Sequence, residues 1–140
     1  MSPVTAQDYA RTVRTAPQAL REVRLEVARY LGSQGLEKIT DDVLLIVTEL
    51  LSNVYKHVHD KESLVRIIVR GASCRISVSD SSWDTPSVRT PSLENLDGRG
   101  MFLVSQLDPH WMVEITNHGK RIVCSVPVPG LTVRSGLGQW

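Results

Sequence analysis

Residues 43–58 read VLLIVTELLSNVYKHV, a run free of glycine and proline in which Glu49 and Asn53 interrupt an otherwise apolar pattern. At about 100° per residue, Val43, Val47, Leu50, Leu51, Val54 and Val58 fall into one sector of a helix, and Glu49 and Asn53 lie together at its edge. Their four-residue spacing stacks them on one face, so a carboxylate and an amide share the rim of the core. Taken alone, both residues also suit the solvated edge of a buried helix, where Glu is at home and Asn costs a few tenths of a kcal/mol. His57, one turn further on, is ordinary as an edge histidine. Thr40, Asp41 and Asp42 just upstream offer an N-cap and first-turn acids.

On the N-terminal side, Leu20, Val23, Leu25, Val27 and Leu31 alternate with Arg21, Glu22, Arg24 and Glu26, which predicts a surface helix over 16–31 with one buried stripe. Gly32 and Gly35 mark its end, and a short strand is expected around Tyr9 to Val13. On the C-terminal side, Val65, Ile67 and Val69, then Cys74, Ile76 and Val78 across Gly71-Ala72-Ser73, have the period of two of a β-hairpin. Trp111, Val113 and Ile115, then Ile122, Cys124 and Val126 across Asn117-His118-Gly119-Lys120, predict a second hairpin. Between them, SSWDTPSVRTPSLENLD (residues 81–97) is rich in Ser, Thr and Pro, and is longer than a simple connector. It reads as a functional loop, followed by Gly98-Arg99-Gly100 and a short helix from Met101 to Leu107. Helices and hairpins together predict an α+β fold, a two-layer sandwich of helices on a mostly antiparallel mixed sheet. Residues 1–129 form the domain, and 130–140 read as a mobile tail.

Composition narrows the function. The 140 residues carry 16 Lys plus Arg against 15 Asp plus Glu, a formal charge of +1 that gives no electrostatic reason to expect nucleic acid or an anionic membrane as the partner. The two cysteines, Cys74 and Cys124, read as core thiols: they are too few for a disulfide scaffold and lack clustered His or Cys companions for zinc. The N-terminal stretch is polar and no apolar run reaches a membrane span of about 20 residues, so a cytoplasmic location is expected.

Two further features bear on chemistry. Asp80 continues the phase of Cys74, Ile76 and Val78, so a carboxylate falls on the face that should be buried. Either the strand frays there or a ligand supplies an N–H donor. Gly98 and Gly100 open the short helix, where a glycine turn can bring backbone N–H groups and the positive helix end against phosphate.

In this order, E-x-x-x-N on a helix, an acid at a strand end, a long loop and G-x-G opening a helix, the chain resembles the ATP-binding (Bergerat, GHKL) domain of gyrase, histidine kinases and MutL. Within that group it looks like the short anti-sigma factor serine kinases of bacteria. The resemblance runs from about Val13 to Val126 and is most specific over TELLSNVYKH, Thr48 to His57. It departs at Ser82, where the family carries a glycine two residues after the acid. The resemblance implies Glu49 as general base and Asn53 as Mg²⁺ ligand. It implies Asp80 as acceptor of the adenine amino group, Gly98 and Gly100 as lid hinges facing the phosphates of ATP, and Arg99 as either a phosphate contact or a solvated side chain. It implies as partners a sigma factor, which the protein sequesters, and an anti-anti-sigma (STAS-type) protein that it phosphorylates on Ser or Thr, and it leaves room for a homodimer. A nucleotide-binding switch or adaptor without phosphotransfer stays open beside it, since such a protein would keep Asn53 and Asp80 and leave Glu49 unused. A sensor histidine kinase would need a phosphoacceptor helix pair for which this length leaves no obvious room.

Overall fold

The computed structural model describes residues 8–85 and 99–130. The elements run β1 (Tyr9–Arg14), α1 (Pro17–Ser33), a 3-10 turn (Glu37–Ile39), α2 (Thr40–His57), β2 (Glu62–Arg70), β3 (Ser73–Asp80), α3 (Arg99–Leu107), β4 (Met112–Ile115) and β5 (Lys120–Pro127). The five strands lie in the order β1-β2-β3-β5-β4. Both predicted hairpins form, and they join through β3 and β5. A mixed sheet was the expectation, yet all four strand pairs among the described residues are antiparallel. The cause is the long return through α3: β5 starts beside Asp80, where β3 ends, and runs back along it. The fold is α+β, with helices on one face of the sheet.

The central sector of α2 is buried as its periodicity requires: Val43, Ile46, Val47, Leu50, Leu51 and Val54 all lie in the core. They pack with Val23, Val27 and Leu31 of α1 and with the inward residues of the sheet, including Val65, Ile67, Ile76, Val78 and Ile122. The stripe of α1 is narrower than expected. Val23, Val27 and Leu31 repeat at four residues, whereas Leu25 points about 200° away from Val23 and is 60% exposed. At the start of α2 the preceding 3-10 turn feeds directly into the helix, so Thr40 is its first residue and no side chain caps it. Asp41 and Asp42 do occupy the first turn, where the helix dipole favours acids.

Cys74 and Cys124 are buried free thiols. Desolvation pushes Cys74 up to about 11, and desolvation with the nearby Asp108 charge pushes Cys124 up to about 12. The C-terminal end of α3 is fastened to the sheet. Trp111 donates its indole N–H to Ser105 Oγ at 2.8 Å, and Asp108 accepts the backbone N–H of His110 at 2.9 Å and of Ser125 at 2.9 Å. With that end fixed, the N-terminal end of α3 has a defined place over α2.

Candidate functional site

Glu49 and Asn53 are half-buried, one turn apart on α2, at the edge of the sector formed by Ile46, Leu50 and Val54. The first turn of α3 comes down beside them. A Cβ on Gly100 would lie 2.6 Å from Glu49 Oε2, so the backbone approaches this closely because the residue there has no side chain. The free N–H groups and positive end of a helix favour a carboxylate or a phosphate oxygen at this point. The glycines were expected to precede the helix. Instead α3 begins two residues before Met101, with Arg99 as its first residue and Gly100 inside its first turn. Gly98 lies outside the described residues, as does the loop from residue 86 onward.

At the far end of β3, the Asp80 carboxylate meets donors from within the chain. The strand does not fray: Asp80 pairs with Ser63 of β2 and Lys120 of β5 in continuous register. Lys120 Nζ lies 2.9 Å from Asp80 Oδ1, with the two side chains 6% and 3% exposed. The backbone N–H of Ser82 donates to the same oxygen at 2.8 Å, and Lys120 Nζ also reaches the carbonyl oxygen of Ser82 at 3.4 Å. Gly119, before Lys120, is pressed on the end of β3, where a Cβ would meet the Asp80 carbonyl oxygen and lie 2.7 Å from Ser81 Cα.

The structure thus brings Glu49 and Gly100 together and places Asn53 on the same helix face. The donors that reach the Asp80 carboxylate come from Lys120 and Ser82, with none from α2. Two residues at this end went unread in the sequence, Lys120 and Ser63. Lys120 carried a usable signal: it shares the inward phase of Ile122, Cys124 and Val126, as Asp80 shares that of Ile76 and Val78. Two opposite charges on facing apolar strands are each other's natural partners. Ser63, in phase with Val65 and Ile67, carried only a weak one.

Comparison with known proteins fits this architecture. A structure of the RsbU and RsbW domains of Rv1364c from Mycobacterium tuberculosis superposes with a TM-score of 0.65 at 17% identity, over 86% of this chain and 32% of that one. The likeness defines the fold, and the chain spans about a third of that larger protein. No curated protein matches the chain. Residues 13–125 match the model of the histidine kinase-like ATPase domain, and the chain belongs to that family.

The membership implies ATP with Mg²⁺, and the residues at the α2–α3 corner fit both. Gly100 brings the backbone of the first turn of α3 against the Glu49 carboxylate, where a side chain would clash. Among the described residues no three His, Cys, Asp or Glu side chains form a metal cluster. A single amide oxygen such as that of Asn53 suits Mg²⁺, which binds through one or two protein oxygens and completes its shell with phosphate and water. No helix among the described residues is long and apolar enough to cross a membrane.

Proposed function

We propose that the chain is an ATP-binding anti-sigma factor of the serine-kinase type, cytoplasmic, which sequesters a sigma factor and phosphorylates an anti-anti-sigma partner on Ser or Thr. The observation that carries the reading is the close approach of the first turn of α3 to Glu49, with Asn53 one turn along the same helix. In this reading Asn53 holds Mg²⁺, and the bound metal neutralises phosphate charge. Gly98 and Gly100 would act as lid hinges toward the phosphates, with Arg99 either a phosphate contact or a solvated side chain. Glu49 takes the proton of the partner's hydroxyl while the hydroxyl oxygen bonds to the γ-phosphorus and the bond to the ADP oxygen breaks. A homodimer is part of the same proposal.

Incubation of the purified protein with γ-labelled Mg-ATP and STAS-type partner proteins tests it. Label on a partner Ser or Thr supports the reading, and nucleotide binding without transfer to any partner refutes the kinase half. That second outcome belongs to a nucleotide-binding switch or adaptor without phosphotransfer. Ser82, standing where the family carries glycine, favours that alternative.

A further inference from the structure

The resemblance gives the amino group of adenine to Asp80, and the inference here rests on that ATP-binding reading. Ser63, Asp80 and Lys120 sit opposite one another on β2, β3 and β5, and all three share the inward phase of their strands. Both bonds to the Asp80 carboxylate, from Lys120 Nζ at 2.9 Å and from the Ser82 backbone N–H at 2.8 Å, fall on Oδ1. Among the described residues none reaches Oδ2, which stays free to accept. Lys120 Nζ has three N–H donors. It gives one to Oδ1 and one to the carbonyl oxygen of Ser82 at 3.4 Å, which leaves the third. The lysine side chain is 6% exposed and its backbone is fixed, since Gly119 seats the turn directly on the Asp80–Ser81 peptide. Ser63 is buried at 5% exposure, and its Oγ has no hydrogen-bond partner among the described residues. A buried hydroxyl of this kind calls for a ligand group or an ordered water.

We propose that Lys120 reads the base together with Asp80: its third N–H donates to purine N1 while Asp80 Oδ2 accepts the 6-amino group. The amino group and N1 are neighbours on one edge of adenine, a donor beside an acceptor. The ion pair offers an acceptor beside a donor, so the two edges are complementary. Guanine carries a carbonyl oxygen and an N–H at the same positions. Both would face a like group, oxygen against carboxylate and N–H against ammonium. A hydrogen bond from an ammonium is charge-assisted and stronger than one from a neutral donor, so Lys120 adds to the preference that the carboxylate alone would give. The bond between Lys120 and Oδ1 persists when the base binds, and it holds donor and acceptor in register.

Competition binding with ATP, 1-deaza-ATP, purine riboside triphosphate and GTP, all with Mg²⁺, separates the two contacts. 1-Deaza-ATP keeps the amino group and has C–H in place of N1, so it loses only the Lys120 bond. Purine riboside triphosphate keeps N1 and loses only the Asp80 bond. On the wild-type protein each should bind about tenfold or more weaker than ATP, and GTP weaker than either. In Lys120→Met the gap between ATP and 1-deaza-ATP should close to within about threefold, while purine riboside triphosphate stays disfavoured. Wild-type affinities for ATP and 1-deaza-ATP within about threefold overturn the proposal, and so does a gap that persists in Lys120→Met. Either result leaves the ATP-binding reading standing. An absence of binding by all four nucleotides overturns both. If Lys120→Met fails to fold, the wild-type ratio of ATP to 1-deaza-ATP decides the matter alone.

Discussion

The two ends of the candidate site are built on opposite principles. At the α2–α3 corner, polar side chains stand half-buried at the rim of an apolar sector, and a glycine lets the backbone of α3 close on Glu49. At the β3–β5 end, two buried charges are already bonded to each other, Asp80 to Lys120 at 2.9 Å. The first arrangement can accept a ligand's charge without losing a bond. The second already holds an internal ion pair. The proposed function gives phosphate and metal chemistry to the helices, and the sheet end holds a pair whose loss would strand a buried charge.

Substitutions at each end should have effects of different kinds. The largest expected change is in activity at the open end. Glu49→Gln retains shape and hydrogen bonding but takes no proton, so transfer to the partner should fall about 10²–10⁴-fold while Mg-ATP binding persists. Equal single-turnover rates for the two proteins would remove Glu49 as the base. At the closed end the effect should be on stability. Asp80→Ala leaves the Lys120 ammonium buried without its partner, which should cost about 3–5 kcal/mol in urea unfolding. A loss under about 1 kcal/mol would mean that the pair is solvated, and the contrast between the ends would fail.

Gly100→Ala sharpens the comparison because it crowds the open end without deleting a functional group. The added methyl meets the end of the Glu49 side chain, which can swing aside, so the melting temperature should hold while transfer drops about tenfold to a hundredfold. Unchanged transfer would show that the position of the Glu49 carboxylate is not critical. The smallest effect concerns the core beneath both ends. Cys74 and Cys124 have thiols raised from 9.0 to about 11 and about 12, so neither should react with iodoacetamide in the native protein at pH 8. Because the unfolded chain releases these protons first, their contribution to stability is complete below pH 9 and declines as pH rises toward 11 and 12. Unfolding curves between pH 8 and 10.5 would show no decline if the thiols were accessible.

Local periodicity made most of this architecture readable. The apolar sector of α2 and the alternation in β2, β3 and β5 are properties of contiguous residues and appear where the pattern places them, whereas in β4 Trp111 falls before the strand and Ile115 is 63% exposed. The placement of Glu49 and Asn53 at the rim followed from the same arithmetic. The start of α3 was misjudged because Gly98-Arg99-Gly100 has the composition of a turn, while a helix accepts glycine in its first turn when a neighbour demands close approach. The Asp80–Lys120 bond was missed for a different reason. It joins residues 40 positions apart through the β3–β5 pairing, and strand order is a long-range property that neither strand encodes alone. Asp80 was correctly read as an acid requiring a donor, and the donor turned out to be inside the chain.

The claim that the helix end of the site binds nucleotide through metal and phosphate is tested most directly by calorimetric titration of ATP, with Mg²⁺ and with EDTA, into wild type and Asn53→Ala. The account predicts Mg²⁺-dependent binding to wild type and none to the variant, with unfolding free energies within about 1 kcal/mol of each other because Asn53 lies outside the buried sector. Equal Mg-ATP affinity in the two proteins, or wild-type binding that persists unchanged in EDTA, would contradict it.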